Sequence, residues 1–173
     1  LAVFIDDDSV GHGPASRWWL EQALKSLNTS MSGRLNVYRG NRQEIITSLA
    51  KRFHFDAVVW NQVFEPNHRQ EDLKLEDYIQ NSLQLSCQSF NGSLLWEPSS
   101  VTKADGGSYQ VFSPFYFKGA ANAPSPRQPV SYSFDSDSLV VDEQRLALEN
   151  LTFGDHSHWS DKFVQYWQVS EQA

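Results

Sequence analysis

The side chains best suited to ligand chemistry follow three short apolar runs of this sequence. Arg17 lies after the first run, within the stretch GPASRWWLEQAL at residues 13–24. Residues 40–42 follow the second run, and residues 60–69, which read WNQVFEPNHR, follow the third. If the runs are parallel strands, these segments meet at the carboxyl edge of an open α/β sheet, where ligands bind. A flat ring stacked on an indole there would be fixed by Arg17, Asn61 and Glu65.

The adjacent indoles of Trp18 and Trp19 allow two interpretations. Large rings are more often packed in a core or an interface than used as ligand platforms. Arg17 would ordinarily be a solvated side chain, but it sits at the end of a helix where the dipole disfavours positive charge. That placement favours a role for Arg17 beyond solvation.

Other chemical motifs are weaker. The acidic run at residues 6–8 suits either a cation or an ordinary polar loop, and the loop is the commoner outcome. Asp155, His156 and His158 alternate in a manner that gives little support to a metal site. Neither a GxGxxG motif nor a Walker motif is present, and no serine stands in a nucleophile elbow.

Composition narrows the class of protein. The chain has 173 residues, 40% of them hydrophobic and 13% aromatic, which suits one globular domain. Its net charge of −7 predicts no free-standing nucleic-acid binding. The single cysteine, Cys87, cannot form an internal disulfide, which is typical of a reducing cytoplasm. Neither a membrane-spanning run nor a secretory signal is visible.

Strand and helix patterns alternate through the first half of the chain. Apolar runs predict strands at residues 1–5, 35–38, 56–60 and 86–90. Helices are predicted from Pro14 to about Gly33, from Asn41 onward, and from Pro66 to about Leu85, with Ser16 and Asn41 as caps. The run DAVVW is apolar on both faces, which is typical of a parallel sheet covered by helices. The pattern predicts a doubly wound parallel sheet of Rossmann-like type with flanking helices.

The alternation of strand and helix patterns becomes less regular after residue 91. An aromatic cluster lies at residues 112–117, and residues 120–129, rich in Ala and Pro, indicate a linker. We therefore expect an α/β domain at residues 1–119 and a connecting segment at residues 120–173.

Four motifs, in register along nearly the whole chain, resemble the N-terminal α/β domain of the DNA photolyase and cryptochrome family. They are GPASRWWL, RGNRQEIITSLAKRFHFDAVVWNQVFEP, FNGSLLWEPSSVTKADGGSYQVFSPFYF and WQVSEQA. The third is the most specific of them. The last resembles the segment that opens the family's flavin domain, with Ser170 where glycine is usual.

The resemblance implies parts that this chain lacks. The family's first strand, which lies centrally in the sheet, and its first helix would precede Leu1. A helical domain that binds FAD and the flipped pyrimidine dimer would follow Ala173. That domain would be the chain's partner and would carry its contact with damaged DNA. The 173 residues alone are then not expected to repair DNA.

The resemblance also implies an antenna chromophore: a deazaflavin, a flavin or a folate. Arg17 and Glu65 match positions that contact the deazaflavin in some relatives, and Trp60, Asn61 and Arg69 complete the predicted site. Other positions depart from both antenna types, because Val63 replaces an aspartate and His68 replaces a glutamate. The identity of the chromophore therefore stays open, and an empty pocket is an alternative.

We expect the light-harvesting domain of a flavin-dependent DNA photolyase, active as a full-length lyase. The first alternative is a cryptochrome-type photoreceptor, which only the helical domain would distinguish. The second is a stand-alone nucleotide-binding module of doubly wound type.

Overall fold

The computed structural model describes residues 1–7, 13–128, 135–151, 157–164 and 166–169. Its strands are β1 (Ala2–Asp6), β2 (Leu35–Arg39), β3 (Ala57–Asn61) and β4 (Ser86–Phe90). Its helices are α1 (Pro14–Ser30), α2 (Arg42–Phe53), α3 (Pro66–Asn81), α4 (Phe112–Pro114) and α5 (Ser157–Val164). A π-helical turn, Phe115–Gly119, continues α4, and short 3₁₀ turns occur elsewhere. The predicted alternation of strands and helices is confirmed.

The starts of α1 and α2 show two ways of beginning a helix. Pro14 is the first residue of α1 and Gly13 is its N-cap, so the prediction that Ser16 caps this helix is wrong. Pro suits the first helical position because its φ is preset and its missing N–H has no partner there anyway. The prediction for α2 is confirmed, since the Asn41 Oδ1 atom accepts the Glu44 N–H at 3.1 Å.

Helix α3 ends earlier than predicted. The sequence predicts a charged helix from Pro66 to about Leu85, but the helix stops at Asn81. Gln84 then adopts a left-handed φ of 57°, and the Leu85 N–H turns back to the Ile79 carbonyl at 3.1 Å. A non-glycine residue in this conformation is uncommon, so the sequence carried no exit signal.

All four strands pair in parallel, as predicted. β1 pairs with β2 from Ala2↔Leu35 onward, and β3 pairs with β4 from Ala57↔Ser86 onward. Each pair is a separate two-stranded sheet in the described residues, rather than part of one sheet.

The chain divides into two compact units. The β1–β2 unit comprises Leu1–Ser48 and Ser133–Ala173, and the β3–β4 unit comprises Leu49–Tyr132. The core of the β1–β2 unit is formed by buried aliphatic side chains from α1, β2 and the chain near residue 150. They are Leu24, Leu35, Val37 and Leu151.

Residues 135–151, here called the strap, fasten to β2 through buried polar groups. Asn36 is fully buried; its Nδ2 donates to the carbonyls of Ala2 and Val140, and its Oδ1 accepts the Asp142 N–H. The hydroxyl of Tyr38 donates to the buried Asp142 carboxylate. Because the side chain of Asn36 contacts both β1 and the strap, one residue joins three segments.

Within the β3–β4 unit, α3 packs against β4. Its side chains Leu75 and Ile79 are almost fully buried. The prediction that β3 is covered on both faces is wrong for the described residues, since Val59 is 64% exposed. Burial alternates along the strand, so one face of β3 has no covering element in the described part of the unit.

Candidate functional site

Arg17 lies in the first turn of α1, in the β1–β2 unit. Its backbone N–H donates to the Gly13 carbonyl at 3.0 Å, and its side chain is half-buried. The first turn holds no acidic residue. The guanidinium of Arg17 and the positive end of the α1 dipole therefore lie at the same end of the helix.

The indoles beside Arg17 serve packing. Trp18 is only 6% exposed and makes ring contacts with Trp159 at 6.1 Å and with Phe163 at 5.9 Å between centroids. Trp19 is 43% exposed and meets the Trp167 ring edge-on at 6.1 Å. The packing interpretation therefore holds for Trp18. Trp19 is partly exposed and contacts the same group of aromatic rings through Trp18 and Trp167.

Acidic side chains at the end of β1 are engaged by arginines. Arg39 pairs with Asp6 at 2.9 Å, and Arg42 pairs with Asp7 at 2.6 Å. These pairs make the polar-loop interpretation of the acidic run the better one for its two described members. Each pair also places a carboxylate charge beside an arginine charge, so the two arginines add little net positive charge at this end of β1.

Trp60, the aromatic member of the predicted site, is the last residue but one of β3 in the other unit. Its indole N–H is buried and has no hydrogen-bond partner among the described residues. An unpaired buried donor costs about 1–3 kcal/mol. The next residue, Asn61, packs closely on Gly92: a Cβ atom added there would approach the Asn61 amide to 2.6 Å.

Glu65 and Arg69 lie in the first turn of α3, directly after β3. Glu65 is the N-cap residue, but its exposed carboxylate makes no capping hydrogen bond. The Arg69 guanidinium is half-buried and reaches Glu76 at 3.5 Å, and the Ser89 hydroxyl donates to the same carboxylate at 2.9 Å. Arg69 is thus oriented along the helix by its contact with Glu76.

Sequence reasoning missed Glu76 and Ser89. Arg69 and Glu76 are seven residues apart, which places them on one helix face, and this spacing was a usable signal. Burial, followed by the nearby Glu76 charge, raises the pKa of the Cys87 thiol on β4. These groups make a small polar cluster beside the predicted site.

Trp60 and Asn61 on β3, and Glu65 and Arg69 at the start of α3, belong to one unit, and their convergence on a single ligand stays a prediction. Arg17 belongs to the other unit, so its convergence with them stays a prediction. Several residues singled out in the sequence lie outside the described residues: Asp8, Asp155, His156 and Ser170. The side chain of His158 is also undescribed. Within the described ranges, no group of three metal-ligating side chains occurs.

These features define a parallel α/β protein with polar and aromatic residues near the ends of its strands. The DNA photolyase family model matches residues 1–131, and the chain belongs to that family. A deoxyribodipyrimidine photo-lyase of Agrobacterium fabrum is 33% identical over 177 residues, covering 99% of this chain and 36% of the relative. Cryptochrome-1 of Arabidopsis thaliana is 25% identical over 138 residues, covering 75% of this chain and 20% of the relative.

The fold agrees with these relationships. A crystal structure of a bacterial class III photolyase from Agrobacterium tumefaciens matches with a TM-score of 0.84 and 28% identity. The match covers 96% of this chain and 35% of that one. The Rossmann-like α/β fold is therefore confirmed, and the chain spans about a third of the length of these photolyases. Among the described helices, none has the length and apolar character required to cross a bilayer.

Proposed function

We propose that this chain is the light-harvesting α/β part of a flavin-dependent DNA photolyase. The complete enzyme would use light to split UV-induced pyrimidine dimers held by its helical domain. Family membership over residues 1–131 carries this proposal, and two photolyases among the relatives support it. We assign no residue of this chain to the FAD, which belongs to the proposed helical domain. The lone cysteine supports a cytoplasmic location.

The polar groups of Trp60 and Glu65 indicate whether the proposed site fits an antenna pigment. The buried indole N–H of Trp60 needs an acceptor, and the Glu65 carboxylate is not used as a cap. Deazaflavins, flavins and folates offer ring carbonyls and ring N–H groups that match this donor and this acceptor. The residues present therefore fit a flat heteroaromatic group, although they do not select one of the three.

In this proposal the side chains bind and orient the pigment. Trp60 donates a hydrogen bond, Glu65 accepts one, and Asn61 offers both kinds of group. Arg17 and Arg69 provide positive charge for carbonyl or acidic substituents. When bound, the pigment would absorb light and pass the excitation to the flavin.

An exposed aromatic patch supports the proposed contact with a helical domain. Val111, Phe112, Tyr116 and Phe117 are 50–71% exposed, and the rings of Phe112 and Tyr116 stack at 5.7 Å. Large contiguous apolar patches mark interaction sites. We propose that the helical domain covers this patch and that damaged DNA meets the protein through that domain.

The proposal is tested by releasing and identifying the pigments of the purified full-length protein by absorbance and mass. Trp60→Phe keeps most of the ring but removes the N–H, and we expect about a tenfold loss of antenna affinity, near the cost of one unpaired buried group. Arg17→Ala should also lower occupancy, because it removes positive charge.

Trp19→Phe is the matched control, since this indole is partly exposed and is not among the proposed pigment contacts. Unchanged pigment content in both site variants, with correct folding, would contradict the site. FAD as the sole pigment of the full-length protein would argue against an antenna role.

The second candidate is a cryptochrome-type photoreceptor. Two Arabidopsis cryptochromes are among the relatives, at 25% and 27% identity. A light-driven repair assay of the full-length flavoprotein on an oligonucleotide with one thymine dimer separates the candidates. Dimer cleavage supports the photolyase, and a photoreduced flavin without cleavage supports the cryptochrome.

A further inference from the structure

A groove in the β1–β2 unit is lined by none of the residues proposed to hold the antenna pigment. It lies between one face of α1 and the segment that follows α5, is open to solvent, and has a volume of about 290 Å³. The lining includes Trp18, Gln22, Lys25 and Ser26 of α1, with Trp167 opposite. We propose that this groove binds a small flat aromatic anion. This proposal does not depend on the proposed function.

The ring walls of the groove are held in place by other rings. Trp18 is wedged among Trp19, Trp159 and Phe163, with centroid distances of 5.9–6.2 Å. Trp167 is anchored edge-on to Trp19 but remains 58% exposed, so much of its surface is available. Ordering of the walls before binding lowers the entropic cost of capturing a ligand.

The polar lining of the groove favours a negatively charged ligand. Trp18, Gln22 and Ser26 are spaced four residues apart, so they share one helix face with Lys25 between them. The Lys25 ammonium has three N–H groups and directs one to Glu21 at 2.6 Å. The Lys25 side chain is 50% exposed and the Glu21 side chain 22% exposed, so the two remaining N–H groups of the ammonium are free to receive a ligand carboxylate. The lining side chains include one cation and no anion.

The size of the groove limits the ligand. Pockets for small molecules begin at about 300 Å³, so a one- or two-ring compound with a short acidic arm is suitable. A polyanion such as nucleic acid would meet the repulsion of a protein with a net charge of −7. An aromatic amine of the same size would place its positive charge near Lys25.

The experiment is calorimetric titration of the 173-residue protein with indole-3-acetate and with tryptamine, which share a ring and carry opposite charges. We expect one-site binding of indole-3-acetate, and binding of tryptamine weaker by about fivefold or more, the range of one exposed charge pair. Lys25→Gln should weaken binding of the acetate about threefold and leave tryptamine unchanged or improved. Trp167→Ala should weaken both ligands, because the shared ring loses its wall.

Lys51→Gln, an exposed charge change on α2, is the matched control and should change neither affinity. Circular dichroism checks that each variant is folded. Equal affinity for the two compounds, or an unchanged preference in the Lys25→Gln protein, overturns the anion assignment. Absence of saturable binding at millimolar concentration, or binding that leaves the indole N–H resonance of Trp18 unshifted, overturns the site.

Discussion

At the scale of single residues, two indole N–H groups of the β3–β4 unit contrast. The N–H of Trp96 donates to the Pro124 carbonyl at 2.7 Å, whereas the buried N–H of Trp60 has no described acceptor. An indole N–H can only donate a hydrogen bond. The Trp96 N–H therefore holds its loop to the Pro124 carbonyl, whereas the unpaired Trp60 N–H lowers the stability of the fold. A buried donor of this kind calls for an acceptor outside the described residues, and the proposed pigment would supply one. This contrast is the strongest local argument for a ligand at Trp60.

Cys87 provides a titration that can be followed alone, because it is the only cysteine. Burial, and then the charge of Glu76, raises the pKa of this thiol in the folded state. The thiol form is therefore favoured by folding, and this stability, full below the unfolded pKa, is lost as the pH rises through the folded pKa. We expect the pH profile of iodoacetamide alkylation to lie higher for the folded than for the urea-unfolded protein.

Glu76→Gln should move that profile back only partly, since burial is the larger cause and remains. The reagent reports the thiolate fraction. Identical profiles for folded and unfolded protein would show that the thiol is not in this environment.

Gly119 tests the packing beneath the aromatic patch. A Cβ atom at this buried position would lie 2.9 Å from both the Tyr109 ring and the Val101 side chain. We expect Gly119→Ala to lower the free energy of unfolding by about 1–3 kcal/mol through overpacking, measured by urea denaturation. The exposed neighbour serves as control, because Ala121→Ser should change it by less than about 0.5 kcal/mol. Equal stability of the two variants would contradict the close contact.

At the scale of elements, the strap depends on one buried amide. Asn36→Ala removes hydrogen bonds to Ala2, Val140 and Asp142 and leaves buried groups unpaired. We expect a loss of about 3 kcal/mol in the free energy of unfolding. Asp137→Ala, which breaks only an exposed ion pair between the strap and Arg34, should cost under about 1 kcal/mol. Comparable losses in urea denaturation would mean that the buried amide does not hold the strap.

Periodicity predicted the regular elements well, because a repeated apolar spacing averages over many residues. β4 was predicted with its observed bounds, and Asn41 was identified as a cap from one spacing. The end of α3 was missed since it depends on a left-handed Gln84, which no composition rule marks. The fastening of the strap was equally hidden, because Asn36 and Asp142 are ordinary polar residues until tertiary structure buries them.

The candidate site was predictable only in part. Residues adjacent in sequence, such as Trp60 and Asn61, must lie together once β3 is recognised. Whether the indole N–H of Trp60 has an acceptor depends on every neighbour of that ring, and the sequence does not specify those neighbours. The meeting of Arg17 with Glu65 is a long-range arrangement, and it remains a prediction.

At the scale of the whole molecule, the two strand pairs and the length comparison bear on the same point. Each strand has one parallel partner among the described residues. The chain spans about a third of the length of its photolyase relatives. Parallel sheets are ordinarily covered and continuous. Val59 on β3 and the aromatic patch are exposed apolar surfaces, and the helical domain proposed above is our candidate for covering the patch.

The charge of the molecule leads to a final prediction. A net charge of −7 repels the phosphate backbone, and Arg39 and Arg42 are already paired with carboxylates. We expect the 173-residue protein to give no anisotropy change with a labelled, dimer-containing duplex even at about 50 mM salt, where phosphate contacts are strong. The full-length enzyme is the control and should bind through its helical domain. Binding by the 173 residues that weakens as salt is raised would place a phosphate-contacting surface on this part, contrary to the division of roles proposed above.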